Sequence, residues 1–210
     1  MSKTARESIY DVHPGVAMMQ KWVAELQEKT GRPLEEWIAL LERQGPATEK
    51  DRRDWLRCKH GLGTNSAWWI AARAEGKDAE DDSPDKYLEA AERYVDQQYA
   101  GPKARLRPIF NELLKVAKAL GEDVRACPCK TIVPLYREHV FAQIKPTTKS
   151  RVDLGLALAK HKGKLSKLLI DTGGLQKKDR ITHRIALESV TDINNEVRNW
   201  LKAAYDLNEK

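Results

Sequence analysis

Apolar residues recur every three or four positions through the first 75 residues and alternate one by one in stretches between 140 and 188. The first rhythm is that of helices with one buried face, the second that of half-buried strands. Val16, Met19, Trp22, Val23 and Leu26 make a helical stripe after Pro14, and Gly31 ends it. Leu34, Trp37, Ile38 and Leu41 make a second after Pro33, closed by Gly45-Pro46. A third helix is predicted over 48–60, with Thr48 as cap, Asp51 reaching back to it, and Trp55, Leu56 and the Lys59 stem on its packing side. Gly61 suits a left-handed helix end, Thr64 or Asn65 suits a cap, and Trp68, Trp69 and Ile70 mark a fourth helix over about 65–75. Five of the six tryptophans lie in the first 69 residues, where a small helical bundle needs bulky core side chains.

Two more helices are predicted over about 84–98 and 102–120, the second ended by Gly121. Alternation then takes over in 140-VFAQIK-145, 151-RVDLGLAL-158 and 181-ITHRIALE-188. The stretch 124–137 predicts one or two further strands, interrupted by Pro128 and Pro134. A last helix is expected over about 192–206, capped by Asp192. The expected fold class is α+β: a small helical bundle of about four helices, helix-turn-helix-like, then an antiparallel sheet packed with helices. The acidic stretch 75-EGKDAEDDSPDK-86 suggests a helical domain over 1–76, a linker over 77–84 and an α+β domain over 85–210.

Charge sharpens this picture. Residues 1–83 carry 13 Lys and Arg against 15 Asp and Glu, whereas 145–184 carry 11 against 3. A localised basic excess is an argument about anionic partners rather than about fold. No run of eighteen apolar residues exists, and the N-terminus lacks the apolar core of a signal peptide. Together with only three cysteines, this predicts a reducing, cytoplasmic location and no disulfide framework.

The segments WVAELQEKTGRPLEEW and WLRCKHGLGTNSAWW resemble a short bacterial domain of unknown function, number 4287. The segments KTIVPLYREHVFAQIKPTTKSRVDLGLAL and IDTGGLQKKDRITHRIAL resemble a second, number 5655. The pairing implies a two-domain bacterial cytoplasmic protein and brings no catalytic residues to carry over. The back half is also loosely similar, in element order, to a family of small α+β proteins that includes a frataxin-like iron chaperone. That likeness implies iron handling, whereas the sheet segment here is basic and iron surfaces favour carboxylates.

Four candidate chemistries remain. Cys127-Pro128-Cys129 lacks the four ligands of a structural zinc site and the Cys-x-x-Cys spacing of a redox pair, so two small buried residues is the favoured reading. A cysteine-dependent enzyme would need Cys129 with His139 or His183 as base, and His183 sits on an apolar strand face. The pair of helices within 48–76 fits a helix-turn-helix, but its slightly acidic surroundings suit a plain hairpin better. The basic stretch predicts an anion-binding surface for nucleic acid or a phosphorylated ligand, made by Lys145, Lys149, Arg151, Lys177, Lys178 and Arg180, with Gly173-Gly174 offering N–H groups to a phosphate. The alternative is a small-molecule or metal (iron) pocket between sheet and helices lined by Tyr136, His139, Phe141 and Trp200. The leading expectation is a non-enzymatic binding protein with no catalytic residues, metal ligands or cofactor, and with room for a protein partner on the helical domain.

Overall fold

A computed structural model describes residues 8–78 and 80–209. The chain divides into two compact units, Val12–Glu89 and Ala90–Lys210, with the segment through Asp11 belonging to the second. The division falls inside a helix, not in the acidic stretch. Each unit is described separately.

The helical unit contains α1 (Pro14–Thr30), α2 (Leu34–Gln44), α3 (Glu49–His60) and α4 (Thr64–Ala74). Gly31 and Gly61 take left-handed conformations that end α1 and α3, as their placement predicts. Thr48 caps α3 by accepting the Asp51 N–H, and its hydroxyl donates to the Asp51 carboxylate, so Asp51 meets the cap side chain rather than its backbone. The expected side-chain cap of α4 is absent: Gly63 occupies the cap position. Leu26, Leu34, Trp37, Leu40, Leu41, Leu56, Ala67, Trp69 and Ile70 form the core, with Trp22 edge-on to Trp69. Trp69 is the buried member of its pair and Trp68 is exposed. Lys59, expected on the packing side, is exposed and lies over the Trp55 ring.

The acidic stretch expected to be a linker is fastened to this unit. Asp81 accepts from the Trp69 indole, Asp82 pairs with Arg73, and Lys77 pairs with Glu49 and Glu75. Acidic composition marks a surface segment, but Asp81 and Asp82 have an indole and a cationic partner on α4.

The helix α5 (Pro84–Gln98) carries the chain into the second unit. The helix predicted over 102–120 is a 3-10 turn, Gly101–Leu106, followed by α6 (Arg107–Lys118). Pro108 explains the break, since it fits the first turn of a helix and not the interior. A six-stranded antiparallel sheet follows: β1 (Arg125–Ala126), β2 (Val133–Tyr136), β3 (Val140–Lys145), β4 (Val152–Leu156), β5 (Ile170–Asp171) and β6 (His183–Leu187), in the order β1-β2-β3-β4-β6-β5. Pro134 lies within β2 rather than interrupting it. Its carbonyl accepts from the Cys127 N–H just beyond the end of β1, where no ladder donor is required of it.

β5 and the short helix α7 (Gly174–Lys177) lie where the sequence shows only a basic loop. The last helix, α8 (Asn195–Asp206), is capped by Asn194, not Asp192. Asp192 instead accepts the Glu188 and Ser189 N–H groups in the preceding turn. Its carboxyl is held below the usual range mainly by the Glu188 hydrogen bond. α6 and α8 pack together, and α8 lies on β3 and β4. β4 is buried along its whole length. No helix of the described residues is long and apolar enough to cross a membrane.

Candidate functional site

The strand register decides how the basic stretch is used. Lys145 pairs with Asp153 at one end of β3 and β4, and Val152 pairs with Leu187 at that same end. Leu156 pairs with His183 at the other. Lys145, Lys149 and Arg151 therefore flank the β3–β4 turn at one end of the sheet. Lys177, Lys178 and Arg180, which precede His183, lie at the opposite end. β4 alone separates the ends by roughly 13 Å, at about 3.3 Å per residue. The six residues do not make one patch.

The expected phosphate cradle at Gly173-Gly174 is already occupied by the chain itself. The Gly173 N–H donates to the Asp171 carboxylate at 2.7 Å. Gly174 is needed for close approach: a Cβ there would lie 2.3 Å from the Ile181 carbonyl oxygen. Lys177, Lys178 and Arg180 remain exposed around this closed turn.

The other end is more developed. A cavity of about 410 Å³ is lined by Gln97, Gln98, Lys103, Lys130, Thr131, Lys145, Pro146 and Thr147. Four pieces of chain build it: the end of α5, the 3-10 turn, the β1–β2 loop and the β3–β4 turn. Gln98 Nε2 donates to the Cys129 carbonyl at 2.7 Å, tying α5 to the β1–β2 loop. Its Oε1 is buried without a partner. Lys103 Nζ donates to the Pro146 carbonyl at 2.6 Å, and Arg105 Nε to the Lys149 carbonyl at 3.1 Å. These bonds hold the β3–β4 turn against the 3-10 segment. Three lysines and two threonine hydroxyls line the cavity, and no carboxylate does.

The nearby acid, Asp153, is held by two arginines and by one threonine of the lining. Its carboxylate meets Arg151 Nε at 2.9 Å, Arg184 at 3.1 Å and the Thr147 hydroxyl at 2.7 Å. Arg151, expected to contact anions directly, is thus paired within the chain. Lys145 has no ion pair among the described residues and is exposed. Lys103, Arg105 and Lys130 escaped the sequence reading because they lie outside 145–184. The run 101-GPKARLRP-108, with three basic residues and no acid, was the available signal.

The four expected pocket residues have separate fates. Phe141 has no exposed surface and packs edge-on against Tyr205 in the core. Tyr136 is half-buried near the Arg125 guanidinium, and His139 is exposed. Trp200 borders a different depression, with Lys164, Leu165, Ser166, Lys167, Glu196 and Asn199.

Cys127 is buried, and burial pushes its thiol up to about 12; burial also raises the Cys129 thiol. That is the direction opposite to the one a thiolate nucleophile requires. His183 is buried and its Nδ1 lies 2.9 Å from the Thr182 hydroxyl, a satisfied core histidine. Among the described residues, no group of three or more His, Cys, Asp or Glu is placed to hold a metal ion.

Residues 95–208, which include the whole sheet and the basic cavity, match the family model described as Domain of unknown function (DUF5655). The chain belongs to the DUF5655 family. Residues 18–76 match a second model, Domain of unknown function (DUF4287), so the DUF5655 domain follows a DUF4287 domain. The frataxin-like likeness is not among these matches. No curated protein and no solved structure matches the chain.

Proposed function

We propose that this is a non-enzymatic binding protein whose DUF5655 domain holds the phosphate backbone of a nucleic acid at the basic cavity beside the β3–β4 turn. The observation that carries the reading is the lining: Lys103, Lys130 and Lys145 with Thr131, and no carboxylate among the lining residues, while the Thr147 hydroxyl is donated to Asp153. Lysine ammonium groups and hydroxyls are the ordinary phosphate-contacting set, and they position a backbone without reading its sequence. Asp153 pairs with Arg151 and Arg184, which leaves the lysines to make the contacts. A reducing, cytoplasmic setting fits the three free cysteines.

The test is titration of labelled single- and double-stranded DNA and RNA at stepped salt concentrations. Log affinity should fall linearly with log salt, by about 0.9 per duplex phosphate contacted and about 0.7 per single-strand contact. Lack of binding even at low salt would overturn the reading.

A further inference from the structure

The half-buried Trp200 borders a second depression, of about 530 Å³, together with Lys164, Leu165, Ser166, Lys167, Glu196 and Asn199. α8 turns Val197, Leu201, Ala204 and Tyr205 into the core. Glu196 and Trp200 are four residues apart, so they share the outward face of the helix. The loop after β4 runs along that face. Ser166 donates to the Glu196 carboxylate, Asn208 contacts the Ala157 carbonyl, and the His161 ring stands edge-on to Trp200, with centroids 5.1 Å apart and planes at 72°. The indole is therefore held from one side by His161 while the depression opens on it. The same loop carries Lys160, Lys162, Lys164 and Lys167 and no acidic residue from 157 to 168. The one carboxylate in the lining, Glu196, accepts the Ser166 hydroxyl, which fixes its position on the side of the loop.

An indole beside two lysines that outnumber the single carboxylate of the lining is chemically matched to an unpaired base joined to phosphates. Aromatic faces stack bases of any sequence, and neighbouring lysines follow the backbone. A base inside a duplex has its faces already stacked and is closed to such contact. We propose that Trp200 is a stacking platform for an unpaired base, with Lys164 and Lys167 on the flanking phosphates, so that the nucleic acid bound by this domain is single-stranded. This rests on the nucleic-acid reading above and adds strand type and a second contact point to it.

Trp200 is the only tryptophan between 90 and 210, which makes its emission separable by difference. The experiment titrates the full chain, Trp200→Phe and Trp200→Leu with oligothymidylate, with a duplex of mixed sequence and with inorganic tripolyphosphate. Affinity is read by anisotropy or competition, and tryptophan emission alongside it. Circular dichroism melts check folding. Oligothymidylate should quench emission in the intact chain, and that component should vanish in Trp200→Phe with affinity nearly kept. Trp200→Leu keeps an apolar side chain without a π face, and it should lose about tenfold or more for oligothymidylate only. An unchanged single-strand affinity in Trp200→Leu, or equal losses for duplex and tripolyphosphate, would overturn the stacking proposal while leaving backbone binding intact. Failure of every nucleic acid to bind the intact chain would overturn both readings. If Trp200→Leu does not fold, the Trp200→Phe comparison decides: quenching that persists there places the base elsewhere.

Discussion

Asp153 on β4 binds Arg184 of the adjacent strand β6 at 3.1 Å, and the same carboxylate meets Arg151, two residues earlier and just before β4 begins. Asp153 is largely buried, while both arginines keep partial access to water. Asp153→Ala should therefore lower stability by about 1–2 kcal/mol, since water can re-solvate much of what is left unpaired. It should also release Arg151 beside Lys145 and raise affinity for polyanions at low salt. Thermal unfolding and tripolyphosphate binding on one preparation check both signs. A destabilised variant with weaker anion binding would mean that Asp153 shapes the site rather than restrains it.

Glycines separate two kinds of constraint. Gly174→Ala places a Cβ against the Ile181 backbone, which cannot swing aside, so the β5–β6 connection must shift. A loss of about 2–3 kcal/mol is expected. Gly61→Ala meets no neighbour but sits at φ 68°, and about 1 kcal/mol is expected. Denaturant midpoints of the two variants should rank in that order.

Thiol reactivity should divide the three cysteines. Cys58 is exposed, whereas burial raises the Cys127 and Cys129 thiols. In the native chain an aromatic disulfide reagent should modify Cys58 rapidly and the other two only on unfolding. Fast native modification of Cys129 would reopen the cysteine-enzyme reading.

The helical unit should weaken in mild acid. Burial lowers the pKa of His13 and of His60 below the ordinary value of 6.5. The unfolded chain then binds protons first as pH falls through 6.5, so stability is full above that value and declines below it. His13 Nδ1 also accepts the Gly15 N–H at 2.9 Å, a cap that protonation removes. Melting followed by emission should show a drop in midpoint between about pH 7 and 5. The drop should be smaller in His13→Asn, which caps without titrating. Equal drops would place the effect on His60 or on other groups.

The helical unit was nearly readable from the chain because its signals are local. Pro14, Gly31, Thr48 and Gly61 act within one turn of where they stand, and the tryptophans mark the core. The sheet was half readable: β3, β4 and β6 alternate clearly, but β5 spans two exposed residues and leaves no pattern. Asp192 and Asn194 are both good caps two residues apart, and only the backbone path assigns each its turn. The candidate site was least readable. Lys145 and Lys177 belong to one basic run, yet the register sends them to opposite ends of the sheet. Lys103 and Lys130 reach Lys145 only through the docking of α5 and the β1–β2 loop. Contiguous charge in sequence is not contiguous charge on a surface.

The central claim is that phosphate binding resides at the β3–β4 end. The direct measurement is the salt dependence of single-strand affinity for the intact chain, for Lys145→Ala with Lys149→Ala, and for Lys177→Ala with Lys178→Ala and Arg180→Ala. The first variant should lose affinity, with a slope shallower by about 0.7 per phosphate contact removed. The second should keep the intact chain's slope. The reverse pattern, a flattened slope only in the Lys177–Arg180 variant, would contradict the account and move the site to the other end of the sheet.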